Sequence, residues 1–213
     1  MTHGPTESLR APLETPSLEA PPRLVGEFVI LRALTCDDAP ITHRWRLGAR
    51  ARHLNGAAAS LEDQARWIAS RPTGEFNYMI ELVGGPAIGM LSLVNIDLSN
   101  RRAESARFLI GDEAAAQGAP AAVEAMKLLY ELAFERLGLE RIYGLVEERN
   151  HLMLKWQKYL GMKEEGRLRR HFFMDGEFVD AVSLGLLAEE YRATSLPRMR
   201  SLIALGRPRA TGA

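Results

Sequence analysis

The sequence predicts an α/β domain, and three observations carry that reading. Residues 108–162 run strand, glycine-bearing loop, helix, strand, asparagine and short helix. Within that stretch Ala122, Met126, Leu129, Ala133 and Leu137 recur at helical spacing, with Glu124, Lys127, Glu131 and Glu135 on another face. Two further pairs of alternating segments, around Gly84-Gly85-Pro86 and Asp175-Gly176, read as β-hairpins.

In order along the chain, residues 1–23 carry Pro5, Pro12, Pro16, Pro21 and Pro22 among Ser, Thr and Glu, the composition of a disordered lead-in. Leu24 to Arg32 reads as one strand. Thr35-Cys36-Asp37-Asp38 has capping-box spacing and opens a helix, with Pro40 placing its regular part slightly later. Ile41, Trp45 and Leu47 are its apolar side, and Arg46 reads as a cation at the surface. Ser60 to Asp63 is a second capping box, opening a helix that stops near Pro72. His53, between the two, is expected on a surface loop.

Phe76–Leu82 and Ala87–Val94 form the first predicted hairpin, followed by the loop Asn95–Asn100 and a strand that begins near Arg102 and ends in Phe108-Leu109-Ile110. Gln117-Gly118-Ala119-Pro120-Ala121-Ala122 is a loop feeding small residues into a helix. Pro120 suits the first helical position, and Gly138 sits just past the end. Such a helix start exposes unpaired N–H groups that attract phosphate. Arg141–Val146 is a strand. Asn150 precedes an amphipathic turn carrying Leu152, Leu154, Trp156 and Leu160, closed by Gly161. The Asp175-Gly176 hairpin follows. Residues 192–213 hold Arg192, Arg198, Arg200, Arg207 and Arg209 with no acid, and read as a frayed basic terminus.

Composition narrows the classes. The chain has 213 residues, enough for one domain with a real core. Its 27 acidic and 27 basic residues balance, so no polyanionic or nucleic-acid partner is implied. The single cysteine, Cys36, excludes an internal disulfide and a cysteine-rich metal site and fits a reducing cytoplasm. No apolar run reaches membrane-spanning length, and no secretory signal is expected.

The order of parts from Phe108 to Gly166 resembles the GNAT acyltransferases, the acetyl-CoA-dependent N-acetyltransferases, over about residues 24–191. Their phosphate loop, Gln/Arg-x-x-Gly-x-Gly/Ala, is matched at Gln117 and Ala122, while Pro120 replaces the central glycine and removes one donor. Asn150 and Gly161-Met162-Lys163-Glu164-Glu165-Gly166 match the family's strand exit and closing motif. The resemblance implies a central mixed, mostly antiparallel sheet with helices on both faces. It implies acetyl-CoA as co-substrate and no metal. The cofactor would lie along Phe108-Leu109-Ile110, in a splay against Leu145-Val146. Gln117, Gly118, Ala119, Ala121 and Ala122 would hold its phosphates, and Asn150 and Trp156 its arm.

A narrower resemblance, carried by Trp45-Arg46, by Ile88 through Asp97 and by Ala103-Glu104, is to acetyltransferases of nucleotide-linked amino sugars, the pseudaminic acid type that serves flagellin glycosylation. It implies that Trp45, Arg46 and Asn95 line the acceptor side, although Trp45 also reads as core. The cast Arg170-His171, Gly176 and Asp180 is shared with enzymes that acetylate protein N-termini, so a peptide N-terminus is the alternative acceptor. A non-catalytic acyl-CoA-binding module is a second alternative, and a homodimer is compatible with all three. Glu104 is the first candidate for the base, His171 the second, because an imidazole exchanges protons near neutrality, and Glu148 the third. The strand after Glu104 is one residue longer than the family spacing. Either a bulge absorbs it, or Ser105 takes the place of Glu104. Gln157 stands where the family often has a tyrosine acid, and Tyr159 is turned away by about 200° of helix.

Overall fold

The computed structural model describes residues 18–207. Most of the Pro-rich lead-in and the last six residues lie outside the described residues. One eight-stranded sheet runs in the order β1-β2-β3-β4-β5-β6-β8-β7. Its strands are β1 (Leu24–Val25), β2 (Val29–Ala33), β3 (Phe76–Leu82), β4 (Ala87–Asp97), β5 (Arg102–Ile110), β6 (Arg141–Glu147), β7 (Lys163–Met174) and β8 (Glu177–Leu187). Every neighbouring pair is antiparallel except β5 and β6, which are parallel. The α/β fold with a mixed, mostly antiparallel sheet is therefore as expected.

Helices α1 (Ala39–Leu47) and α2 (Leu61–Ala69) follow β2. A short α3 (Glu113–Ala116) and the crossover α4 (Ala121–Glu131) join β5 to β6, and α5 (His151–Tyr159) joins β6 to β7. A single turn, α6 (Ala188–Glu190), and α7 (Leu196–Leu205) close the chain. Alternation along the strands divides the core between the two faces. Tyr78, Ile80, Leu91 and Ile110 join the large cluster with α4 and α7, through Ala125, Leu129, Phe134, Tyr191 and Met199. Their neighbours Met79, Met90 and Leu109 form a smaller cluster with Trp45 and Ala51.

The expected single strand Leu24–Arg32 is instead two strands folded at Gly26. Glu124, read from the sequence as lying on a face of α4 apart from the apolar one, stands at this fold. Its carboxylate is buried and accepts hydrogen bonds from the backbone N–H groups of Glu27, Phe28 and Val29 at 2.8, 2.6 and 2.8 Å. A Cβ at Gly26 would stand 2.6 Å from the Glu124 carboxyl carbon, so the turn needs glycine.

Both helix-entry signals hold. The Thr35 N–H donates to the Asp38 carboxylate at 2.9 Å, and the Ser60 hydroxyl accepts from the Asp63 N–H at 3.1 Å. Pro40 lies in the first turn of α1, where a missing N–H is tolerated. Pro120 is one residue earlier than expected, capping α4 rather than entering it. The boundary drawn at residue 191 falls inside a continuous helical segment. A π turn, Tyr191–Ser195, leads into α7, and Tyr191, Met199 and Ile203 are buried, so this part of the basic terminus is folded. At the last hairpin both Asp175 and Gly176 have positive φ, +50° and +81°, as a primed two-residue turn requires.

Candidate active site

The site begins where β5 and β6 stop pairing. Their parallel register ends at Glu104 opposite Tyr143, yet β5 continues to Ile110 and β6 to Glu147. The facing edges beyond that point are free of each other, which is the splay expected from the resemblance. On its other edge β5 shifts register against β4 between Met90/Leu109 and Ser92/Ala106. The extra residue is a bulge at Arg107, φ +56°, which absorbs the added length.

A cavity of about 820 Å³ opens through the splay. On the α5 side its wall includes Phe108, Leu145, Asn150, Met153 and Gln157. Phe108 stacks on Trp156, centroids 4.9 Å apart, so Trp156 supports the wall from behind. The Asn150 side chain caps α5, its oxygen accepting from the Met153 N–H at 3.1 Å. Gln157 is buried and accepts from the Tyr130 hydroxyl at 3.3 Å, while burial pushes the Tyr130 phenol well above its ordinary range and keeps it a donor. Tyr159 points away and is exposed, with the Arg198 guanidinium 5.3 Å above its ring. Leu109 and Ile110 are core residues whose backbone forms the edge of the splay. The loop Gln117–Ala122 does not border the cavity; it stands at the start of α4, with Gly118 at φ +83°. A Cβ at Gly206 would meet the Pro120 ring at 2.5 Å, so Pro120 packs against the end of α7.

The other side of the cavity is lined by α1, α2, β4 and β7. Asn95 donates to the Glu104 carboxylate at 2.8 Å. Burial is the main influence on Glu104 and raises its pKa, against the lowering effect of Asn95, Arg107 and His171. His171 lies on the same wall, edge-on to Phe172 at 4.7 Å. Arg46 also reaches the wall, where its Nη2 donates to the carbonyls of Asn55 and Gly56. Burial, with Arg107 nearby, lowers the Arg46 pKa without deprotonating it. Arg107 bonds Glu75 at 2.8 Å and Asn77 at 2.9 Å and lies over Trp67. Among the described residues neither Glu104 nor Arg46 belongs to an ion pair, whereas Glu75 and Glu147 both do.

Two expectations about this side are corrected. Trp45 is 6% exposed, and its ring covers Gly111, where a Cβ would fall 2.2 Å away; it is core and does not border the cavity. His53 is no bystander on the surface. It borders the cavity, and its Nδ1 lies 2.6 Å from the buried Glu147 carboxylate. Burial pushes the Glu147 pKa up, but the hydrogen bonds from Arg149 and His53 together outweigh it and hold the carboxyl below its usual range. Glu148, the third candidate base, pairs with Arg167 outside the cavity. The sequence offered no local sign of the His53–Glu147 or Glu75–Arg107 pairs, because each joins residues far apart in the chain.

Comparison with known proteins agrees with this geometry. Spermidine N(1)-acetyltransferase of Escherichia coli (strain K12) is 31% identical over 119 residues, 56% of this chain and 62% of the relative. A Bacillus subtilis (strain 168) protein provisionally named ribosomal N-acetyltransferase YdaF is 33% identical over 110 residues, 52% of this chain and 58% of its own. The chain thus spans about six-tenths of the length of the curated relatives it matches. Among solved structures, a GCN5-related N-acetyltransferase from Brucella melitensis superposes with a TM-score of 0.75 at 20% identity, covering 90% of each chain, a likeness of fold. Residues 29–163 match the profile of the acetyltransferase (GNAT) domain, and the chain belongs to that family.

Proposed function

We propose that this chain transfers the acetyl group of acetyl-CoA to the primary amine of an acceptor that also carries an anionic group, with a nucleotide-linked amino sugar as the leading acceptor. The observation that carries this reading is a carboxylate and a guanidinium that line one cavity and, among the described residues, belong to no ion pair. Glu104 has only a neutral amide partner, and Arg46 has only carbonyl partners. The carboxylate suits an ammonium group, and the guanidinium suits a phosphate or carboxylate. A polyamine would meet the surplus guanidinium as a repulsion.

Pantetheine would lie along the open edge of Phe108-Leu109-Ile110, with Asn150 and the Trp156-backed Phe108 bordering its arm. The phosphates would sit at the start of α4, near Gln117, Gly118, Ala119, Ala121 and Ala122. In this reading Glu104 draws one proton from the bound ammonium group, directly or through water, with His171 as the second candidate, and leaves a neutral amine as nucleophile. The nitrogen attacks the thioester carbonyl, the C–S bond breaks, and the thiolate leaves as CoA thiol with the second nitrogen proton. Gln157, fixed by Tyr130, presents an amide to that end of the cavity in place of a phenol.

The test is CoA thiol release from acetyl-CoA with three acceptor sets: UDP-linked 4-amino sugars, alanine-starting peptides and spermidine. Turnover with the sugars alone is expected. Turnover only with peptides or spermidine would transfer the reading to the acceptors named for the relatives. No turnover, together with no CoA binding by calorimetry, would leave a non-catalytic module.

A further inference from the structure

The segment between α1 and α2 crosses the open end of the splay and is tied down on both sides. Its first part is the tight turn Ala49–Ala51, and residues 53–58 form part of the cavity wall. On the α1 side His43 Nε2 meets the Ala58 carbonyl at 3.0 Å, and Arg46 holds Asn55 and Gly56. These contacts fix the segment to its own helix. Over the sheet, buried Ala51, with Leu54 beside it, packs on Met79, Met90 and Leu109, and two polar ties complete the hold. Arg50 pairs with Glu113, just beyond β5, at 2.6 Å. His53 pairs with Glu147, at the end of β6, at 2.6 Å.

The two ties differ in strength. Both partners of the Arg50–Glu113 pair are about half exposed, and such pairs contribute little. The Glu147 side chain is fully buried, and its other oxygen is held by Arg149 through the backbone N–H at 3.1 Å and Nε at 2.6 Å. That carboxylate is a fixed acceptor, so His53 Nδ1 donates to it. His53 Nε2 in turn accepts from Arg52 Nε at 3.0 Å. The imidazole is thus used at both nitrogens, as a structural clasp would be. The other ionisable groups on the wall, Glu75, Glu104, Arg46, Arg50, Arg107, Tyr143 and His171, form no hydrogen bond or ion pair with it.

We infer that His53 and Glu147 are a positioning pair that clasps residues 49–58 across the splay, and that this clasp builds the acceptor half of the cavity while leaving the acetyl-CoA half unchanged. The inference rests on the acetyl-transfer reading for its kinetic consequence, but the clasp itself is testable without turnover.

The experiment compares His53→Ala with His53→Asn, whose amide N–H can occupy the place of Nδ1–H. For each protein, trypsin cleavage after Arg50 and Arg52 is timed and mapped by mass spectrometry. KM for the best acceptor of the three sets and KM for acetyl-CoA are measured alongside. His53→Ala is expected to speed cleavage at least fivefold and to raise acceptor KM about tenfold, with kcat and acetyl-CoA KM within twofold. His53→Asn is expected to recover most of both changes. Unchanged cleavage in His53→Ala overturns the clasp, whatever the enzyme does. Faster cleavage with unchanged acceptor KM overturns its role in the acceptor site. A fall in kcat at constant KM overturns positioning in favour of chemistry, as does failure of His53→Asn to recover. A wild type that turns over none of the acceptors overturns the acetyl-transfer reading and the acceptor-site role together, and the cleavage rates still decide the clasp.

Discussion

The two faces of the sheet are held by different means. The α4 face is thick and dry, with Tyr130, Phe134 and Tyr191 packed ring on ring at 4.9–6.2 Å between α4 and the helical segment before α7. The α1–α2 face has a small apolar cluster and a polar lattice in place of the rest: Arg32 between Asp38 and Glu81, Gln64 on Thr42, and Arg107 on Glu75 and Asn77. The acceptor side of the cavity lies on this thin face, while its α5 wall packs on the large cluster through Phe108 and Trp156. The difference teaches that stability and chemistry are separated across the sheet: one face supplies rigidity, and the other keeps charged groups that are only partly satisfied.

That separation has measurable consequences. Phe134→Ala, on the thick face, should cost about 3–5 kcal/mol of unfolding free energy in denaturant titration, leaving kcat per folded molecule unchanged. Glu124→Ala should cost about 3 kcal/mol, because three backbone donors lose one shared acceptor; Glu124→Gln should recover part of that. Glu104→Gln, on the thin face, should do the reverse. It should lower kcat/KM about 100-fold, roughly 2.7 kcal/mol of barrier, while shifting unfolding by less than about 1 kcal/mol. A large loss of stability in Glu104→Gln would show that the thin face also depends on its site residues for rigidity.

The smallest effect concerns acid. Burial works against ionised Asp38, but Arg32 and Thr35 together hold its pKa below the usual carboxylate value. A depressed folded pKa adds stability that is complete above the unfolded value of about 3.9 and is lost as pH falls through the lower folded one. Asp38→Asn should therefore cost about 1–2 kcal/mol at neutral pH and flatten the stability curve below about pH 4, read by denaturant melts at pH 3–7.

What the sequence disclosed follows from range. The strand–helix–strand unit, both capping motifs and the Asp175-Gly176 turn are local, and each was legible from spacing alone. The bulge was legible as one residue too many, though its seat at Arg107 was not. Glu124 misled because it shares helical spacing with Lys127 and Glu131, which are only partly buried and pair with each other. Its partners are some 95 residues upstream, and Gly26 was the sole hint. Arginines in the C-terminal segment masked the apolar spacing of Leu196, Met199 and Ile203, which buries α7. In the site, Glu104, Asn95, Asn150 and Phe108, which lie on the cavity wall, were named from motif order. His53 and Glu147 were not, because a contact that joins a loop to a strand end leaves no periodic trace.

The lone parallel pairing of β5 with β6 also sets the order of events during folding. The β3–β4 and β7–β8 hairpins close through short turns and can form early. β5 and β6 meet only after the whole crossover, from Gly111 to Glu140, has folded back over the sheet. The cavity needs both strands in place, so a nascent or partly refolded chain would carry both hairpins before it carries a cavity. Pulse-labelled hydrogen exchange should find β3, β4, β7 and β8 protected ahead of β6.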